Sequence, residues 1–262
     1  MERKLVSAKV ENGVRYIMLD SPASFNVIDI TLMTDLLEAL QVAEADPETK
    51  VIVLGSTAKV FSAGGDLATL KQQAQDQKTE AMKVLVEKVA EIILYMKQMK
   101  KLIIAAVNGA TAGAGFSLVL AADRIIASEK AVFMTAFIKV GLVSDGANFY
   151  LLSKQIGASR AMHYSLTSEA IKGTEAYSIG LVSQVVPADD LMENTKRVAE
   201  QLATGPLSAY ENLKALNYHS NYEDLEKYLQ LETTKQTEAM QTEQFIEGTT
   251  AFLEKRIPNF NQ

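Results

Sequence analysis

Two kinds of hydrophobic pattern alternate along most of the chain. Short runs of β-branched and aliphatic residues indicate strands. These runs cover residues 14–19, 51–54, 102–107 and 124–128. The second and third runs are continuously apolar, which is typical of strands buried on both faces of a sheet. Between the strands, apolar residues recur at helical spacing over residues 31–45 and 79–99. The alternation predicts an α/β fold.

The pattern changes after about Pro187 and is then helical almost to the end, with a break at Pro206. We therefore divide the chain into an α/β core, residues 1–200, and a C-terminal helical region, residues 201–262. A helical region of this kind either folds back on its own core or packs on a neighbouring subunit.

Composition excludes several classes of protein. Hydrophobic residues make up 48% of the 262 residues, which argues against a disordered chain. The 26 Lys and Arg against 32 Asp and Glu give a net charge of −6, so we expect no nucleic-acid partner. The chain has 0 Cys and 2 His, which excludes disulfides and thiolate sites and argues against a multi-histidine metal centre. We predict no metal site.

The most apolar stretch, residues 102–122, is about as long as a membrane span needs to be. However, Asn108, Gly109, Gly113 and Gly115 interrupt it, and they fit a strand, a turn and a helix better than a lipid-facing segment. No secretory leader pattern follows Met1. We therefore expect a cytoplasmic protein without a membrane partner.

Two turns rich in small residues, 61–67 and 108–117, each follow an apolar strand. Small residues let a ligand approach the backbone, and the first N–H groups of a helix lack intrahelical partners. Two such turns brought together offer two N–H donors to one oxygen, which is an oxyanion hole for a carbonyl that becomes an enolate. Glycines that serve only tight turns explain either segment alone. A dinucleotide fingerprint fits less well, because Leu118 stands where its third glycine belongs.

The order and spacing of the two segments closely resemble the enoyl-CoA hydratase/isomerase (crotonase) family. The motifs are Phe-Ser-Ala-Gly-Gly-Asp-Leu at 61–67 and Asn-Gly-x-x-x-Gly-Ala-Gly at 108–115. The resemblance covers nearly the whole chain, including Asn26 and the tail 250–256. It implies a spiral of ββα units with a C-terminal helical trimerisation region, assembled as a homotrimer or as a hexamer of two trimers. It also implies an acyl-CoA thioester substrate, with coenzyme A as part of the substrate and no separate cofactor.

By the same resemblance, the backbone N–H groups of Gly65 and Ala114 form the oxyanion hole. Further positions match residues that bind the substrate or its coenzyme A moiety, Phe252 and Lys255 commonly from a neighbouring subunit. These positions are Ser24, Ala63, Asp66, Leu67, Ser117, Phe137, Phe252 and Lys255.

The chain departs from the family's hydratases at the two catalytic glutamates. Ser117 and Phe137 occupy those positions, and neither can act as a general base near neutral pH. Asp145, in contrast, stands where dienoyl-CoA isomerases and ring-oxepin isomerases carry a catalytic aspartate, and where dehalogenase relatives carry a nucleophile. A double-bond shift needs only one base, and apolar neighbours of Asp145 are expected to raise its pKa.

The leading interpretation is a double-bond isomerase that transfers a proton through Asp145. One alternative is an enoyl-CoA hydratase or acyl-CoA hydrolase variant, with water held by Ser117 or an acyl intermediate on Asp145. Another is a catalytically silent acyl-CoA-binding scaffold. For Asp145 itself, the alternative is a structural one, in which Asp145 or Ser144 caps the helix that follows.

Overall fold

The computed structural model describes residues 4–261. The strands in this part of the chain are β1 (Val6–Glu11), β2 (Val14–Leu19), β3 (Val27–Ile28), β4 (Val51–Ser56), β5 (Gly64–Gly65), β6 (Leu102–Val107), β7 (Ala110–Ala112), β8 (Arg124–Ser128), β9 (Val132–Met134), β10 (Ile171–Lys172) and β11 (Gln184–Val186). The α-helices are α1 (Ile30–Ala45), α2 (Leu67–Gln75), α3 (Thr79–Gln98), α4 (Ala114–Ala121), α5 (Asn148–Ile156), α6 (Ala158–Thr167), α7 (Gly173–Ser178), α8 (Leu191–Ala203), α9 (Leu207–Asn221), α10 (Leu225–Ala239) and α11 (Glu243–Leu253).

The strands form three sheets. The large sheet has the order β1-β2-β4-β6-β8-β11, in which β1 pairs antiparallel with β2 and the other neighbours are parallel. A second sheet has the order β10-β9-β7, and β3 pairs with β5. Along the chain, a strand of the large sheet is followed by a strand of a smaller sheet and then by a helix, as in β6-β7-α4 and β8-β9-α5. These are the ββα units that the resemblance implies.

The predicted elements agree closely with the observed ones. Three of the four strand candidates coincide with β2, β6 and β8, while residues 51–54 extend to Ser56 in β4. Helix α1 begins at Ile30, because the side chain of Asp29 accepts a hydrogen bond of 2.7 Å from the backbone N–H of Leu32 and caps the helix.

The central strands are buried on both faces. Every residue of β4 from Val51 to Gly55 is buried, which accounts for its continuously apolar sequence. One face of the large sheet lies against α1, which in turn packs on α3, and α8 covers the other face with Val198 and Ala199. Residues 102–122 form β6, β7 and α4. No helix within residues 4–261 has both the length and the apolar character needed to cross a membrane.

The C-terminal helices fold back on their own core. Helix α10 packs along α3, with Leu225 and Leu229 buried in the main core, and α11 packs on α2. This arrangement brings α10 beside the segment that connects β9 to α5, where the candidate site lies. The division at residue 200 stays a prediction.

Candidate active site

The two turns rich in small residues run side by side. The backbone N–H of Phe61 donates to the carbonyl of Ala110 over 2.9 Å, and the N–H of Ala112 donates to the carbonyl of Ser62 over 3.1 Å. Residues 61–65 and 110–114 are therefore held together by main-chain hydrogen bonds rather than by side chains.

Glycine is required where the turns approach each other. Gly64 has φ +86°, and a Cβ atom there would lie 2.9 Å from the carbonyl oxygen of Ala112, which is closer than real Cβ contacts. Gly113 has φ 52° and ψ −130° and directly precedes Ala114, the first residue of α4. The N–H of Ala114 therefore belongs to the first turn of a helix, where N–H groups have no intrahelical acceptor.

Gly65 and Ala114 line one cavity of ≈ 480 Å³. Its wall is mostly apolar, and within residues 4–261 the ionisable side chains that line it are Asp145 and Lys139. Phe25 and Phe252 are 55% and 60% exposed, so they mark the opening of the cavity to solvent. The cavity therefore has an apolar interior with one buried carboxyl group.

Asp145 is 8% exposed and contacts a residue far away in the sequence. Its Oδ2 accepts a hydrogen bond of 3.2 Å from Nε2 of Gln236, whereas its buried Oδ1 has no hydrogen-bond partner within residues 4–261. Burial raises the pKa of Asp145 to about 6, and the hydrogen bond from Gln236 opposes this increase. Near neutral pH the group is thus a carboxylate that takes up a proton more readily than an exposed aspartate does.

The cap interpretation of Asp145 and Ser144 is wrong. Helix α5 begins at Asn148 with Ala147 as its N-cap residue, and the Ala147 side chain forms no cap hydrogen bond at this helix. The backbone N–H of Ala147 instead donates to Oε2 of Glu232 over 2.6 Å, and the hydroxyl of Ser144 donates to Oε1 of Glu232 over 2.9 Å. The backbone N–H of Ala147, which a capping side chain of Ser144 or Asp145 would have accepted from, is therefore paired with a glutamate of α10.

Ser117 supports the turn that carries Asp145. Its hydroxyl donates to the backbone carbonyl of Asp145 over 2.8 Å, and Nδ2 of Asn148 donates to the Ser117 oxygen over 3.2 Å. Ser117 is fully buried, and among the described residues it is not part of the cavity wall. Its hydroxyl is engaged within the protein, which weakens the alternative in which it holds a reacting water.

The predicted substrate-binding residues fall into two groups. The first group lines the cavity together with Gly65 and Ala114, and it consists of Ala63, Leu67, Phe137 and Phe252. The second group lies outside the wall defined by residues 4–261. In that group, Asp66 caps α2 by accepting from the N–H of Thr69 over 3.2 Å, and the Ser24 hydroxyl contacts the Ser21 hydroxyl over 2.7 Å. Lys255, also of this group, is exposed just beyond α11.

Three residues of the site, Asn148, Glu232 and Gln236, were not predicted from the sequence. Glu232 and Gln236 lie on α10, 87 and 91 positions beyond Asp145. Their only signal in the sequence is a spacing of four residues, which many helices show. No group of three or more acidic or histidine side chains within residues 4–261 is placed to hold a metal ion.

Comparisons with known proteins match nearly the whole chain. The family model described as Enoyl-CoA hydratase/isomerase matches residues 9–262. Trans-2-decenoyl-[acyl-carrier-protein] isomerase of Streptococcus mutans is 32% identical over 99% of this chain and 99% of its own length. The 1,2-epoxyphenylacetyl-CoA isomerase of Escherichia coli K12 is 29% identical over 98% of each chain. The crystal structure of an enoyl-CoA hydratase from Mycobacterium avium subsp. paratuberculosis superposes with a TM-score of 0.89 at 30% identity, covering 98% of this chain and 99% of that one.

Proposed function

We propose a specific reaction for this chain, which belongs to the enoyl-CoA hydratase/isomerase family. The named relatives favour an isomerase or hydratase over an acyl-CoA hydrolase or a silent acyl-CoA-binding scaffold. Between the two remaining reactions, we propose the migration of a carbon–carbon double bond in an enoyl thioester, with Asp145 as the catalytic base.

The proposed oxyanion hole stabilises the negative charge that develops on the thioester carbonyl oxygen. The thioester carbonyl oxygen accepts hydrogen bonds from the N–H groups of Gly65 and Ala114. These donors become stronger partners as negative charge develops on that oxygen. Because the surrounding wall is apolar, little water competes for the same charge.

Asp145 provides the proton transfer. Oδ1 of Asp145, which has no hydrogen-bond partner within residues 4–261, removes a proton from C2 of a 3-enoyl thioester. The electron pair of that C–H bond delocalises to give a dienolate with its negative charge on the carbonyl oxygen. The same oxygen of Asp145 then returns the proton to C4, so the double bond moves from C3–C4 to C2–C3. No atom is gained or lost, and one carboxyl group serves as base and then as acid.

The observation that carries the proposal is the state of Asp145. It is the buried carboxyl group in the wall of the cavity that Gly65 and Ala114 share, and its pKa is raised by burial to about 6. A base poised near the working pH is suited to both taking and returning a proton. The positions of the hydratase glutamates are occupied by Ser117 and Phe137, which supports isomerisation over hydration.

Isotope labelling tests the reaction. We would incubate the protein with 3-decenoyl-CoA in H₂¹⁸O and, separately, in D₂O, choosing this chain length because the Streptococcus mutans relative is named for a decenoyl substrate. We expect a 2-enoyl product without ¹⁸O and with less than one solvent deuterium per molecule, because Asp145 carries the proton that it takes from C2 to C4. A 3-hydroxyacyl product that carries ¹⁸O would assign hydration, and a free acid with ¹⁸O would assign hydrolysis.

We propose coenzyme A as the acyl carrier, as printed in the name of the Escherichia coli relative. The name of the Streptococcus mutans relative gives an acyl carrier protein, which presents the same phosphopantetheine thioester. The two sources are distinguished by comparing kcat/KM for one acyl chain on both carriers. We expect the higher value with coenzyme A, and the opposite ranking would assign the carrier protein.

We also propose that the remaining site residues bind the carrier, and that the chain forms a homotrimer or a hexamer of two trimers. Ala63, Leu67 and Phe252 are suited to the pantetheine arm, because they line the cavity towards its opening. Leu213 and Leu216 of α9 support an assembled state. Their side chains are 65% and 64% exposed in the single chain, and an exposed apolar patch of this kind is typical of a surface that another subunit covers. Light scattering after size-exclusion chromatography tests this; a monomeric mass would contradict it.

A further inference from the structure

Two buried polar side chains of helix α10 contact the turn that carries Asp145, residues 144–147. Glu232 and Gln236 are four residues apart and therefore lie on one face of the helix. They are 6% and 0% exposed. Gln236 contacts the Asp145 side chain directly, whereas Glu232 contacts the residues on either side of it.

Glu232 holds the turn at both ends. Its Oε1 accepts from the hydroxyl of Ser144, which immediately precedes Asp145, and its Oε2 accepts from the backbone N–H of Ala147, two residues after Asp145. Ala147 has φ 56°, a left-handed conformation that residues other than glycine rarely adopt. Such a conformation persists where surrounding contacts determine it, and the hydrogen bond of 2.6 Å to Glu232 is one of these contacts.

Burying the carboxyl group of Glu232 is unfavourable unless its hydrogen bonds serve a function. Burial raises its pKa to about 8, and the hydrogen bond from the N–H of Ala147 opposes this increase. Near neutral pH Glu232 therefore holds a proton for much of the time, so the site is not burdened with a second full negative charge beside Asp145. An apolar side chain would avoid the burial cost, but it would leave the Ala147 N–H without an acceptor.

We propose that Glu232 is a positioning residue for Asp145, and this inference rests on the proposed isomerase function. By fixing Ser144 and Ala147, Glu232 sets the backbone between them so that Oδ1 of Asp145 faces the reacting carbons. Gln236, one helical turn further along α10, fixes the other carboxyl oxygen.

Substitution of Glu232 tests the role. Glu232→Gln keeps an acceptor for the Ala147 N–H, so we expect kcat within about threefold of the unaltered enzyme. Glu232→Ala removes both contacts, and misplacement of a reacting group by about 1 Å can cost 10²-fold, so we expect a loss of kcat of about 10- to 100-fold with KM changed far less. Ser144→Ala removes the contact at Oε1 and the Ser144 contact with Tyr228 but keeps the Ala147 hydrogen bond to Glu232, and we expect a smaller loss of kcat in a protein that retains its fold.

Leu229→Ala is the matched control on the same helix. Leu229 is buried in the main core, one turn before Glu232, and its apolar side chain has no polar atom that could hydrogen-bond to the turn. This variant should lower Tm while kcat at 25 °C stays near the unaltered value. Equal losses of kcat in Leu229→Ala and Glu232→Ala would overturn the proposal, as would equal losses in Glu232→Gln and Glu232→Ala.

A double-mutant cycle separates this inference from the function on which it rests. If Glu232 acts through Asp145, Glu232→Ala should not lower the residual rate of Asp145→Asn any further. A further loss of the same size in that background would show an independent role and would overturn the positioning proposal. Full turnover by Asp145→Asn alone would instead refute the proposed function, whatever Glu232→Ala does.

Discussion

Replacing Asp145 by Asn should inactivate the enzyme and stabilise its fold. The folded-state pKa of about 6 lies above the ordinary value of 3.8, because burial penalises the ionised form. At pH values above about 6 the folded protein therefore has to ionise a carboxyl group that is more easily ionised in the unfolded chain. Each unit of pKa corresponds to about 1.4 kcal/mol, so this difference costs up to about 3 kcal/mol of folding stability.

Because the folded-state pKa of Asp145 is raised, the destabilisation depends on pH in a definite direction. The unfolded chain loses the Asp145 proton at lower pH than the folded protein does, so stability falls as pH rises from about 4 to 6 and the cost persists above that range. Asparagine cannot ionise and avoids the cost. We expect the Asp145→Asn variant to exceed the unaltered protein in free energy of unfolding by up to about 3 kcal/mol at pH 8, with the difference shrinking towards pH 4.

Urea unfolding followed by circular dichroism at both pH values measures this difference. Asp46→Asn is a control of opposite sign, because hydrogen bonds from Arg15 and Thr49 lower the pKa of Asp46 to about 2, and its loss should destabilise the protein at pH 8. In parallel, steady-state assays on 3-enoyl-CoA should show that kcat for Asp145→Asn falls by about 10²- to 10⁴-fold. The kcat/KM of the unaltered enzyme should rise with pH around a pKa of about 6. Unchanged turnover, or equal stability of the two proteins at pH 8, would refute the reasoning.

Two further substitutions test the main-chain frame and the core. Gly64→Ala should lower kcat by at least about 10²-fold, because the added Cβ would displace the Ala112 carbonyl beside the proposed oxyanion hole. The control is Gly157→Ala, at φ +85° with open space around it, which should leave kcat unchanged. Equal kcat values for the two variants would contradict the argument. Lys214→Met should lower the free energy of unfolding by about 3–5 kcal/mol, because the Lys214 side chain is 4% exposed and its Nζ lies 2.7 Å from Asp123. Urea unfolding measures the loss, and a loss no larger than that of Lys235→Met, whose ion pair is exposed, would show that burial does not matter here.

The fold was predictable because its elements are locally encoded. Residues 102–107 are apolar throughout since β6 is buried on both faces, and the helix that begins at Ile30 is preceded by a capping aspartate. The spacing of the turns at 61–67 and 108–115 also identified the family, which the match over residues 9–262 confirms. Each of these features depends on neighbours in the chain, so a reading of the sequence can find it.

The surroundings of Asp145 were not predictable in the same way. Asp followed by Gly146 before a helix has the local pattern of a cap, yet the hydrogen-bond acceptor at that helix comes from Glu232 on α10. A glutamate in a helix rich in Glu, Gln and Lys carries no mark of burial. Only the packing of α10 on α3 shows that Glu232 and Gln236 point inward. The roles assigned to the site residues all stay predictions, and the side chains of Ser24, Asp66 and Lys255 bond locally or face solvent.

The proposed oxyanion donors, the N–H groups of Gly65 and Ala114, belong to the main chain. Every residue except proline supplies a backbone N–H, so substitutions that spare the local backbone geometry leave such donors in place. Asp145, Glu232 and Gln236, in contrast, are each lost by a single codon change. In the proposed site, thioester binding by the main chain therefore tolerates most substitutions, whereas a single substitution can remove the proton-transfer group. This asymmetry gives the scaffold a route to new chemistry on an old class of substrate, because the reacting side chains can be exchanged while the carbonyl is still held.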